Sequence, residues 1–378
     1  MAGRALCAAV AAVLAVELAL ELVDARERDR AAARVAPTYS RALFTSGGDR
    51  ISPDDGILRL RLTPFRGVAA EPGLVGPPLT TSSLGFRGSE IGPKRPDRFR
   101  VLLSGGSTAF GSGLASDDST LAVQLERRLP SVEVIDVALD AYTSGHELAT
   151  LVFAGMDLAP DAVVSLGGWN DFYQLRVGHD VPEYEEQIER QLVRSARAAD
   201  PNVLRRWPWG AIETFLPAIA RRLGVRDSIA PRGGDATLVP DPDRSAAAYV
   251  ANVSRMARIS AAMGAGFLVV IQPDRCEMDA RIGAAERDGC LRAFSERYTR
   301  FRELATSALR DAGVRVVDLG DGEAELPATL FTDPVHLTAE GYRRLAELLA
   351  PRVRELADPV RRAQAADSGP SEAGAPRP

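Results

Sequence analysis

Five short apolar runs mark the middle and C-terminal parts of the chain: Arg100–Leu103, Val132–Ala138, Asp161–Leu166, Phe267–Ile271 and Val314–Leu319. Each is rich in valine or leucine and bounded by turn residues, and none alternates strictly between apolar and polar positions. Strands with one wet face show a period of two, so unbroken runs point to strands buried on both faces of a parallel sheet. Amphipathic segments lie between and after them. Ser119–Leu129 places Leu121, Leu125 and Leu129 on one helical face, and Ala246–Met263 and Leu291–Ala312 have the same character. Thr338–Leu356 follows a threonine able to cap its first turn, and Pro351 is expected to kink or end that helix. Strands alternating with helices predict an α/β fold, a three-layer, doubly wound, parallel five-stranded sheet. Ligands of such folds sit beyond the carboxyl ends of the strands, so polar residues there are the ones to search for.

The pattern changes outside this core. Arg4 precedes an apolar run from Ala5 to Val16, and the stretch continues to Val23 with Glu17 and Glu21 inside it. A basic start and an apolar core of roughly 7–15 residues make a secretory signal, and no clean small-residue cleavage site follows. Residues 1–23 therefore read as an uncleaved signal anchor, a membrane-spanning N-terminal helix with the bulk of the chain outside the cytoplasm. The alternatives are secretion after cleavage and a buried helix of a soluble protein. Residues 24–98 form a charged juxtamembrane piece and a Pro/Gly-rich, irregular lead-in with room for a small hairpin. The core domain spans 99–357. Within it, 172–245 breaks the rhythm and reads as an insertion or lid after the third strand, holding Trp207 and Trp209. Residues 358–378 read as a disordered tail.

Composition narrows the partners. With 378 residues, 46% of them hydrophobic, the chain can bury a sizeable core, and its net charge of -5 argues against a nucleic-acid partner. Of three cysteines, Cys7 falls in the apolar segment, while Cys276 and Cys290 could close a short loop or stay free thiols.

Three segments carry candidate chemistry. The first strand ends in Leu103-Ser104-Gly105-Gly106-Ser107-Thr108. Two glycines permit the tight turn that would expose Ser107 as a nucleophile, with backbone N–H groups near a developing oxyanion. A phosphate loop is excluded, because neither a Gly-Lys-Ser/Thr ending nor a Gly-x-Gly-x-x-Gly spacing is present. The third strand ends in Gly167-Gly168-Trp169-Asn170-Asp171, where the Asn170 amide can serve as an oxyanion donor beside Gly168 and Trp169, taken as substrate-binding residues. Before the last helix stands Asp333-Pro334-Val335-His336. An aspartate three residues before a histidine can fix the imidazole tautomer, so that the other ring nitrogen faces the serine. The chain has three histidines, and of His146, His179 and His336 only the last follows the final core strand with an aspartate at this spacing. An isolated Asp-x-x-His is more often a surface loop, and the set of three segments is what singles it out.

Together these segments resemble, in order and spacing, the sequence blocks of the SGNH (GDSL-like) hydrolase superfamily over about 99–352. Thr81-Ser82-Ser83-Leu84-Gly85-Phe86-Arg87-Gly88 is similar to the lead-in of a bacterial, N-terminally anchored branch that carries Gly-Gly-Ser-Thr at its nucleophile. The resemblance implies a flavodoxin-like sheet and a Ser107–His336–Asp333 triad. It also implies an oxyanion hole from the N–H groups of Ser107 and Ala141 and the amide of Asn170, with no metal or cofactor. Two positions depart from the pattern. Gly106 stands where many members have aspartate, and Ala141 stands where a glycine is usual. A positive φ at Ala141 would carry strain, and a negative one would not.

The expected activity is hydrolysis of short-chain acyl esters, such as O-acetyl groups on envelope or extracellular glycans. Two alternatives share the scaffold: an O-acyltransferase passing the acyl group to a polysaccharide hydroxyl, and a non-catalytic glycan-binding protein.

Overall fold

The computed structural model describes scattered residues between 12 and 22, then 60–63, 65–76, 78–174, 240–275, 292–321 and 326–367. The anchor and linker assignments therefore fall largely or wholly outside the described residues. So do Cys7, His179, Trp207, Trp209, the Cys276/Cys290 pair, most of the 172–245 insertion and the end of the tail. Among the described residues no helix is long and apolar enough to cross a membrane. The described residues from 60 onward belong to one compact unit, 45–175 with 239–378.

A short hairpin, β1 (Leu60–Thr63) against β2 (Gly67–Ala70), lies in the lead-in and is antiparallel. The core sheet follows: β3 (Phe99–Gly105), β4 (Val132–Asp136), β5 (Ala162–Gly167), β6 (Gly266–Ile271) and β7 (Val316–Asp318). Every pairing is parallel and the strand order is β4-β3-β5-β6-β7. Each of the five expected runs is a strand of this sheet. All positions of β3 and β5 are buried, as their unbroken apolar character requires of strands covered on both faces.

The helices are α1 (Ser107–Phe110), α2 (Leu121–Arg128), α3 (Ser144–Thr150), α4 (Trp169–Gln174), α5 (Pro242–Ala262), α6 (Arg292–Asp311) and α7 (Ala339–Asp367). They form two packs: α2 lies against α7, while α5 lies against α3, α4 and α6. The hydroxyl of Thr338 accepts the N–H of Gly341 at 3.0 Å, which caps α7 as expected. Pro351 neither ends nor interrupts that helix, which runs on to Asp367, into the segment expected to be tail. The proline is on the exposed side, while Val353 and Leu356 beyond it are buried and hold the helix to the core. Water can meet the carbonyl that loses its N–H partner.

In this strand order the chain leaves β3 toward β4 on one side and returns to β5 on the other. The crevice at such a reversal, beyond the carboxyl ends of the two strands, is the ligand site of open α/β sheets. Ser107 follows β3, and Asn170 follows β5.

Candidate active site

The turn after β3 is shaped by its glycines. Gly105 has φ +152°, and a Cβ there would lie 2.1 Å from the carbonyl oxygen of Leu166 on the neighbouring strand. A Cβ on Gly106 would lie 2.4 Å from Asn170 Nδ2 and 3.1 Å from the carbonyl of Tyr142. A side chain at 106 would therefore require the Asn170 amide to shift. Beyond the glycines, α1 is anchored from two sides. Arg87 Nη1 donates to the carbonyls of Phe110 and Gly111 at 2.8 and 2.9 Å, and its Nε pairs with Asp117 at 2.7 Å. Tyr342 Oη donates to the Thr108 carbonyl at 2.8 Å. Arg87 is the arginine of the lead-in motif, so that motif braces the C-terminal end of the serine's helix. Sequence spacing gave no hint of this contact.

The structure brings Ser107, Asp333 and His336 together. His336 Nε2 lies 2.8 Å from Ser107 Oγ, and His336 Nδ1 lies 2.7 Å from Asp333 Oδ2. The other carboxylate oxygen of Asp333 accepts the N–H groups of Val335 and His336, each at 2.9 Å. Burial pushes the Asp333 carboxyl up, but the hydrogen bond and charge of His336 and these two N–H groups outweigh it and leave it below the ordinary aspartate value. An ionised Asp333 fixes the proton on Nδ1, which leaves Nε2 as an acceptor for the serine hydroxyl. Asp333 is buried, while His336 and Ser107 are half-buried and reachable.

On the opposite side stand Ala141 and Asn170. Ala141 adopts φ +62°, the left-handed region that costs an alanine about 1–2 kcal/mol, so the strained alternative holds. The segment around it runs beside the nucleophile turn: Leu139 N donates to the Gly105 carbonyl at 3.2 Å. Asn170 Nδ2 donates to the Tyr142 carbonyl at 2.9 Å. The second hydrogen on that nitrogen remains for another acceptor.

Gly168 and Trp169 require a correction, because the structure turns them into the core rather than toward a substrate. Trp169 is buried, edge-on to Tyr298 at 4.7 Å between ring centroids and stacked with Tyr173 at 6.4 Å. The α-carbon of Gly168, at φ +98°, faces Phe301 and Ile271. Packing against Tyr298 of α6 decides the direction of the ring.

His146 sits at the start of α3. Its Nδ1 accepts the N–H of Thr143 at 3.2 Å, and its ring stacks on Tyr142 at 5.0 Å. Burial pulls it down to about 4, so it stays neutral near pH 7. Among the described residues no group of three or more His, Cys, Asp or Glu side chains is placed to hold a metal ion.

No family model matches the sequence, and no curated protein matches it. Solved structures of similar outline include a putative acylhydrolase from Bacteroides fragilis, with 12% identity, TM-score 0.41, and coverage of 70% of this chain and 91% of that one. A lipase/acylhydrolase from Enterococcus faecalis has 14% identity, TM-score 0.40, and coverage of 68% and 95%. An acetyl xylan esterase has 12% identity, TM-score 0.40, and coverage of 67% and 99%. At such identities and scores the likeness assigns no role to any residue of this chain.

Proposed function

We propose that this chain is a serine esterase of the SGNH (GDSL-like) type, acting on short acyl esters such as O-acetyl groups of glycans. The observation that carries the reading is the unbroken chain Asp333–His336–Ser107, at 2.7 and 2.8 Å, opening on the crevice beyond β3 and β5. His336 Nε2 takes the hydroxyl proton as Ser107 Oγ bonds to the ester carbonyl carbon. The imidazolium formed is stabilised by ionised Asp333. The oxyanion is met by the N–H of Ser107, at the first turn of α1 where an N–H lacks an intrahelical acceptor, by the N–H of Ala141 and by the amide of Asn170. Collapse breaks the bond to the alcohol, which leaves with the proton from His336. Water then enters as nucleophile, losing a proton to the same nitrogen, and the acid departs as Ser107 recovers its own.

The test is hydrolysis of p-nitrophenyl esters of increasing acyl length by the full chain and by Ser107→Ala. Acetate is expected to be turned over best, and the variant to lose at least about 10⁴-fold in kcat. Equal rates in the two proteins would overturn the serine mechanism, and a steep rise in rate with acyl length would overturn the short-chain preference. Turnover appearing only with an added sugar acceptor would move the reading to an acyltransferase with the same triad.

A further inference from the structure

Asp171 follows the proposed amide donor directly, yet the chemistry above gives it no task. Its carboxylate is buried, and both oxygens accept the N–H of Ser144, at 3.1 and 3.0 Å, with the Ser144 hydroxyl donating to Oδ1 as well. Asn252 Nδ2 donates to Ser144 Oγ at 3.1 Å, and Arg255 Nη1 at the surface donates to Asn252 Oδ1 at 2.9 Å. A continuous hydrogen-bonded line thus runs from α5 through Ser144 to α4.

The neighbouring residue of α4 grips the same segment from the other end, since Asn170 Nδ2 donates to the Tyr142 carbonyl. Two consecutive residues of one helix therefore hold positions 142 and 144, immediately after the strained Ala141. A non-glycine residue in the left-handed region persists only where its surroundings over-determine it. Here both the N–H and the hydroxyl of Ser144 are held by one buried carboxyl, and a hydrogen bond to a carboxylate is stronger than a neutral one.

We propose that Asp171 is a positioning residue that sets the Ala141 N–H and the Asn170 amide at a fixed spacing, so that both reach one oxyanion. This rests on the esterase reading for its catalytic consequence, while the tie itself stands on geometry alone. The effect should fall on the transition state. A donor displaced by about 1 Å costs on the order of 10²-fold in rate while leaving substrate binding nearly intact.

Asp171→Ala, Asp171→Asn and Asn252→Ala in the full chain test it with p-nitrophenyl acetate. Asp171→Ala is expected to lower kcat about 100-fold with KM within about twofold. Asp171→Asn, which keeps one acceptor for the Ser144 N–H, should recover about tenfold of that loss. Asn252→Ala should lower kcat by about threefold, since it removes only a link to the Ser144 hydroxyl. Wild-type kcat in Asp171→Ala would overturn the proposal, as would loss in proportion to a fall in folded protein. Should the alanine variant fail to fold, wild-type kcat in both Asp171→Asn and Asn252→Ala overturns it. Amide hydrogen exchange over 139–146 separates the two readings. If the unaltered chain shows no Ser107-dependent turnover, the esterase reading fails, and faster exchange there in Asp171→Asn still supports the tie. Unchanged exchange overturns it.

Discussion

On the proposed base side of the site, Asp333 and His336 lie three residues apart in one loop, and each takes its place with satisfied hydrogen bonds and no positive φ. On the proposed oxyanion side, Ala141 sits at φ +62° and Asn170 comes from a different strand end, the two joined through the Tyr142 carbonyl and the buried Asp171. The base side is local and relaxed, whereas the oxyanion side is assembled from distant segments and held under tension. Orienting an imidazole needs one carboxylate nearby in sequence. Presenting several N–H groups to one point needs backbone from several strands, and strain there is maintained by packing elsewhere.

The comparison breaks most visibly at Asn170. Asn170→Ala is expected to lower kcat about 10²–10³-fold with the acetate ester, the loss typical of an oxyanion donor. Labelling of Ser107 by a fluorophosphonate should slow with it, because that adduct is also tetrahedral. An unchanged kcat would leave the oxyanion side with backbone donors alone.

A second test concerns the buried carboxyls under the strained side. Glu147, whose Oε2 accepts the Ser165 hydroxyl at 2.7 Å, is raised to about 7, chiefly by burial and further by the charge of Asp171. Its unfolded value is about 4.3. Between these values the folded chain keeps a proton that the unfolded chain has lost. The stability it contributes is therefore full below about pH 4.3 and lost as pH rises through about 7. Glu147→Gln keeps an acceptor for Ser165 and removes that loss. In denaturant unfolding the variant should gain on the unaltered protein from about pH 5 to 7 and level off at a difference on the order of 3 kcal/mol. His146, lowered to about 4, acts in the opposite sense below pH 6.5 and cancels in the comparison because both proteins carry it. A difference independent of pH would mean that Glu147 does not titrate in this range.

The smallest expected effect is at Ala141 itself. Ala141→Gly relieves about 1–2 kcal/mol of left-handed strain and returns about 0.4–1 kcal/mol through a looser unfolded chain. Urea unfolding should show a net gain between about zero and about 1.6 kcal/mol; a clear loss of stability would mean that the alanine methyl is worth more in contacts than its backbone strain costs.

Much of this was open to inspection in the sequence. The five apolar runs name the five strands, most clearly for β3 and β5, which are buried along their whole length. The Asp333-x-x-His336 pair is legible for a similar reason, since its geometry is set within a single loop. Trp169 misled, because a tryptophan beside the proposed oxyanion donor Asn170 can face either way, and it packs against Tyr173 and Tyr298. Pro351 misled as well, since an exposed proline on a helix anchored by Val353 and Leu356 ends nothing.

The sequence by itself determined the strands, the order of the candidate groups along the chain and the pairing of Asp333 with His336. Only the tertiary structure decided the sign of φ at Ala141, the close approach of Asn170 to Gly106, the contact of Arg87 with the end of the helix after Ser107 and the tie from Asp171 to Ser144. Hydrophobic periodicity and short-range spacing are properties of neighbours along the chain. Strain, exclusion and buried hydrogen bonds are properties of segments far apart in sequence, which exist as neighbours only once the sheet has brought the ends of β3 and β5 together.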